Sequence, residues 1–189
     1  MEIYWDVLHT AAKLSDSDRQ VTSLLPAEAD LRYRGFSVVS EADRSSPELP
    51  EYGTLSGTAQ VWRDLIGYHT RFGDVLPLLE KVDDRYVIMN AADEIQLRFT
   101  EINPVEAGWQ RDFVLVGDGW VKDGDYNTTF STTLRPLPSH GDPTYDEPPG
   151  RLLADPVYKR HSSDWQEYHT RYVVPEGYSR GLRFENENQ

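Results

Sequence analysis

Ile95, Leu97 and Phe99 alternate with Glu94, Gln96 and Arg98, and Leu31 and Tyr33 alternate with Arg32 and Arg34. A period of two sends successive side chains to opposite faces of an extended chain, so such stretches bury an apolar face only as strands of a sheet. Ile3, Trp5 and Val7, interleaved with Tyr4 and Asp6, predict another strand near the N-terminus. After Gly35 the apolar phase shifts to Phe36 and Val38, and a β-bulge at the glycine accounts for the shift. Five Trp, eleven Tyr and six Phe carry much of the apolar content, and rings of that size favour pleated surfaces.

The run Tyr86, Val87, Ile88, Met89, then a polar break through Asp93 and the alternation from Glu94, predicts a hairpin. Phe113, Val114, Leu115 and Val116 are apolar on both faces, as a central strand is. Residues 117–127 (GDGWVKDGDYN) would then join that strand to the Thr-rich stretch ending at Leu134. Residues 40–57 lack periodicity and predict a long surface loop.

Helical signals are fewer. Val61, Leu65, Tyr68 and Phe72 recur at helical spacing, and Val75, Leu76, Leu78 and Leu79 follow Asp74 as a capping residue, for one or two short helices. Asp155-Pro156 is a cap and first-turn pair, and Tyr158, His161, Trp165, Tyr168 and Tyr172 continue in steps of three or four, predicting a helix over about 156–171 whose aromatic stripe docks on the sheet. Prolines make 136–150 an irregular strap. The expected fold is mainly β: a two-sheet sandwich or jelly roll with a C-terminal α-helix packed on it. At 189 residues the chain reads as a single domain, 1–189.

The formal charge of −13 repels nucleic-acid phosphate and anionic lipid, which removes both as default partners. Without cysteine there is no disulfide, thiolate metal site or cysteine nucleophile. No apolar run reaches the ~20 residues of a membrane span, and the N-terminus lacks the pattern of a signal peptide.

Asp123, Asp125 and Asn127 occupy alternate positions, as in the opening of a calcium loop, and Asp118 lies just upstream. Thr128 and Leu134 stand where an EF-hand needs Gly and Glu, so the expectation is a plain Asp/Gly turn, with a looser calcium turn as the alternative. Calcium is the one ion suggested, with Asp118, Asp123, Asp125 and Asn127 as its candidate ligands. Trp120 with Tyr126 and Asn127 forms a polar aromatic edge suited to stacking on a sugar, against the plainer reading of Trp120 as a core plug. Asn127-Thr128-Thr129 matches a glycosylation acceptor, a common tripeptide.

The five histidines, at 9, 69, 140, 161 and 169, lack metal-ligand spacing within one element, and Asp83-Asp84 and Asp93-Glu94 are neighbours whose side chains point apart. No serine sits in a nucleophile elbow and no glycine-rich loop has phosphate-binding spacing. Tyr-His-Thr-Arg occurs twice, from Tyr68 and from Tyr168, with unmatched flanks, and reads as coincidence.

The phrases EIYWD at 2–6, DLRYRGF at 30–36, RFGDV at 71–75, RDF at 111–113, GDGWVKDGDYNT from 117, LPSH at 137–140 and YHTRY at 168–172 together resemble the C-terminal region of bacterial FG-GAP/ASPIC-UnbV proteins related to cartilage acidic protein. That resemblance spans almost the whole chain. It implies a segment excised from a longer, exported multidomain protein and brings no catalytic or ligand residues with it. The resulting expectation is an extracellular or cell-envelope module without catalysis, binding a glycan, a partner protein or adjacent domains of its parent. The alternatives are an enzyme domain, metal-assisted or hydrolytic, whose site assembles only in three dimensions, and a structural cap on neighbouring domains.

Overall fold

A computed structural model describes residues 19–40, 49–57, 65–100, 102–120, 133–141, 148 and 150–174. The expected strand at Ile3, Trp5 and Val7 and the positions Asp123, Asp125, Tyr126 and Asn127 lie outside them.

Strand β1, Glu28–Tyr33, buries Ala29 and Leu31 and turns Glu28, Asp30 and Arg32 outward, the period-two pattern of the sequence. Four further strands precede β6: β2 (Ser37–Ser40), β3 (Leu49–Leu55), β4 (Gly67–His69) and β5 (Gly73–Asp74). β6 is Asp93–Arg98 and β7 is Arg171–Val173. They form three small antiparallel sheets, β5-β1-β6, β2-β3 and β4-β7. The mainly β class therefore holds, with a helical segment near the C-terminal end.

In the first sheet Leu31 faces Ile95 and Ala29 faces Leu97 on the apolar face, while Arg32 meets Glu94 on the other. The partner of β6 is thus β1, and the expected hairpin with the 86–89 run does not form. That run lies between two cores. Val87 packs on the cluster of Ala29, Leu31, Val75, Leu78 and Tyr168, whereas Ile88 is buried with Leu137, Val157 and Trp165. Side chains claimed by a different core on each side leave no polar face for an edge strand to expose. Each fully buried Leu or Val contributes about 1.5–3 kcal/mol.

Gly35 sits at φ +102°, and the N–H groups of Arg34 and Gly35 both donate to the carbonyl of Ala92, two residues against one as in a bulge. Past that point the chain leaves the first sheet and becomes β2. Its partner β3 lies inside the stretch expected to be loop. All seven residues of β3, with Pro50 and Gly53 among them, are exposed, so no apolar alternation marks it in sequence.

The helical spacing from Leu65 to Phe72 is also overturned: these residues are extended around β4, and Gly67 is at φ +148° with Leu134 so close that a Cβ would meet its Cδ1 at 2.9 Å. Asp74 does not take the capping position, which falls to Val75 without a side-chain cap, but it forms an Asx turn just before it. Its Oδ1 accepts from the Leu76 N–H at 3.0 Å and opens a short 3-10 turn, Leu76–Leu78. Phe113, Val114, Leu115 and Val116, expected as a central strand, are in no sheet and are 77–88% exposed. A buried strand needs ladder partners and a covering layer, and the described residues supply neither.

Asp155 caps its helix as expected, accepting from the Val157 and Tyr158 N–H groups at 2.8 and 3.3 Å. The helix is shorter than the spacing suggested. It breaks at His161 into α1 (Pro156–Arg160) and α2 (Ser162–Glu167), and Tyr172, the last ring of the stripe, lies in β7. Trp165 and Tyr168 are buried, and Arg85 clamps buried Asp164 through two hydrogen bonds of 2.8 and 2.9 Å. A bidentate, charge-assisted pair of this kind fixes α2 against the 85–88 segment.

Candidate binding site

Among the described residues, two convergences of polar side chains involve a histidine. The buried one is built by the two Tyr-His-Thr-Arg segments, which are each other's partners. β4 and β7 pair with Tyr68 opposite Tyr172 and His69 opposite Arg171. Each arginine reaches into the other copy. Arg71 bonds the carbonyl of Glu167 at 3.0 Å and lies over the Tyr168 ring, and Arg171 bonds the carbonyl of Thr70 at 3.0 Å, lies over the Phe72 ring and pairs with Asp93. Between them Thr70 and His169 are buried. Thr70 Oγ1 accepts from the Ile88 N–H at 2.7 Å and sits 3.0 Å from His169 Nδ1. Burial pushes His169 down to about 4, so its ring is neutral at physiological pH. The contacts of Thr70, His169 and the two arginines are all made within the fold. The site is a structural clasp.

The exposed cluster is built from four chain segments. Leu137 is buried as an anchor and brings Ser139 and His140 of the strap against Asp84. Asp84 Oδ1 accepts from the His140 backbone N–H at 3.0 Å and from its ring Nδ1 at 3.1 Å. Asp84 Oδ2 accepts from Arg160 at the end of α1, at 3.0 Å, and from the Ser139 hydroxyl at 3.4 Å. The His140 backbone N–H, and with it the His140 ring and Arg160, hold the Asp84 carboxyl below its usual range.

On its other side His140 Nε2 lies 2.8 Å from Asp118 Oδ2, and the Trp120 ring stands 6.1 Å away, edge to face. With a carboxylate at each ring nitrogen the protonated imidazole can donate from both, and Asp84 first, then Asp118, raise its pKa. Asp83, the other member of the acid pair, accepts from the Arg85 N–H instead. Asp93 goes to Arg171 and Glu94 to Arg32, so neighbouring acids do point apart.

The structure therefore brings together Asp118 and Trp120, both singled out in the sequence, and adds Asp84, Ser139, His140 and Arg160. Tyr126, Asn127, Asp123 and Asp125 fall outside the described residues. The Asp118 carboxylate is engaged by His140, which would compete with a calcium ion there. Among the described residues no group of three or more carboxylate or histidine side chains is arranged to hold a metal ion. The Ser139 hydroxyl bonds Asp84, while both ring nitrogens of His140 face carboxylates. This geometry is a charged clip between segments and not a nucleophile-base relay, which needs the hydroxyl on the imidazole. No protein-family model matches the chain, and neither a curated protein nor a solved structure does.

Of the added residues, Asp84, Ser139 and His140 were visible singly, in the Asp83-Asp84 pair and the LPSH phrase, and Arg160 was not. Their convergence was not: Asp84 and His140 are 56 residues apart, and His140 and Asp118 are 22.

Proposed function

We propose that this chain is a non-catalytic binding module that recognises a glycan at the Trp120 edge, as part of a larger exported protein of the kind its sequence phrases resemble. One observation carries the reading. The Trp120 indole is 48% exposed and stands beside His140, with Asp118, Asp84 and Arg160 fixed around that histidine. A half-exposed indole is suited to stacking on the apolar face of a sugar, and charged groups already held in place offer hydrogen bonds to its hydroxyls at little ordering cost.

The test is a glycan array followed by titration of the best ligand into the full chain and into Trp120→Ala. Binding should fall by at least about tenfold in the variant while the melting temperature holds, which corresponds to about 1.4 kcal/mol. Unchanged affinity removes Trp120 from the site.

A second reading, docking of a partner protein or a neighbouring domain of the parent, is favoured by the exposed apolar run Phe113, Val114, Leu115 and Val116, which leads directly into the Trp120 segment. Apolar exposure on that scale marks interaction surfaces. An array with no glycan ligand would favour this reading.

A further inference from the structure

A groove of about 600 Å³ opens between β3 and the outer face of the β1-β6 pair, on other residues than the Trp120 cluster. Its walls include Tyr52 and Leu55 of β3, Gln96 of β6, and the charged trio Arg32, Arg34 and Glu94. Arg34 is used up in building it. The guanidinium lies 4.0 Å from the centre of the Tyr52 ring, donates to Ser37 Oγ at 3.0 Å and to the Tyr52 carbonyl, and has Nε 3.4 Å from Glu94. These contacts tie the residue after β1 to β2, β3 and β6.

Arg32 plays a different part. Its Nε bonds Glu94 Oε1 at 2.7 Å, yet its side chain is 49% exposed on the rim. Two guanidinium charges against the one carboxylate of Glu94 leave one net positive charge in the groove of a chain whose total is −13. The neighbouring apolar surface is the exposed Tyr52 ring and Leu55.

We propose that this groove binds a small organic monoanion, a carboxylate carried on a ring or apolar body. The body lies against Tyr52 and Leu55, and the carboxylate meets the exposed edge of the Arg32 guanidinium, which is suited to carboxylate geometry. A dianion or phosphate fits less well, since Glu94 already claims part of the positive charge.

The probe is naphthalene-2-carboxylate, titrated into the full chain and followed by backbone amide NMR shifts, with uncharged naphthalene-2-carboxamide as its control. Shifts should gather at Arg32, Tyr52, Leu55 and Gln96, and the carboxamide should bind about tenfold or more weakly, the contribution of one charge-assisted hydrogen bond. Arg32→Gln should remove that preference, and Leu55→Ser should weaken both probes. The proposal is overturned by an absence of shifts in the groove at millimolar probe, by equal affinity for the two probes, or by an unchanged preference in Arg32→Gln. If Arg32→Gln does not fold, Leu55→Ser decides, because unaltered binding in that variant is also fatal. None of these outcomes bears on Trp120, which is absent from the groove.

Discussion

The buried clasp of the two Tyr-His-Thr-Arg segments and the exposed clip at His140 do the same mechanical work by opposite electrostatic means. Each joins segments far apart in sequence through a histidine. In the clasp, His169 is shut away from water, neutral, and 3.0 Å from a threonine hydroxyl. In the clip, His140 stands between two carboxylates with solvent at hand, and its charge is what those partners favour. Burial sets one ring's state and partners set the other's, so protons push the two sites in opposite directions.

Acid should produce the largest effect. The folded pKa of His169, about 4, lies below the ordinary 6.5, so the folded state binds fewer protons than the unfolded one. Its contribution is intact above pH 6.5 and is lost as pH falls from there to about 4. The loss should reach on the order of 3 kcal/mol, read from urea unfolding at stepped pH. His169→Gln should flatten that slope, and a slope unchanged in this variant would assign acid sensitivity to another group.

Next in size is Thr70→Val, which keeps the shape and removes the hydroxyl from both the Ile88 N–H and His169. With those buried groups left unsatisfied, stability should fall by roughly 2 kcal/mol. His140→Asn, applied to the clip, should leave the urea midpoint close to that of the parent chain, since its contacts are solvent-exposed. Equal losses in the two variants would erase the distinction between clasp and clip.

The finest test is NMR titration of the His140 ring. Its midpoint should lie above the ordinary histidine value and move back towards it in Asp118→Asn. A raised pKa means that the contribution of the clip is present at low pH and lost as pH rises through the folded midpoint, the reverse of His169. A His140 midpoint unmoved in Asp118→Asn would leave Asp84 as its only effective partner.

Period two at Leu31 and at Ile95 and Leu97 was enough to mark two strands, though not their pairing, because a half-buried strand writes its two faces into alternate residues. Asp155-Pro156 likewise announced its helix, and Asp74 the turn after it, because capping and Asx turns are contacts between near neighbours. The same local reading failed for Phe113 to Val116, where apolar character did not bring a sheet with it, and for β3, which is exposed on both sides and carries no pattern. Trp120 and Asp118 were legible as candidates from their residue types, whereas nothing local pointed to Asp84, Ser139 and Arg160 as their neighbours.

By itself, then, the sequence determined the mainly β class, the Asp155 cap, the acidic surface charge and the chemistries that cysteine would have allowed, all properties of composition or of residues a few positions apart. Tertiary structure alone decided that β6 joins β1, that the repeated Tyr-His-Thr-Arg segments hold each other, that one histidine is buried and neutral while another sits between two carboxylates, and that two arginines share Glu94 along a groove. Those outcomes depend on which distant segments meet and how much water is left between them, and neither quantity is written in any short stretch of chain.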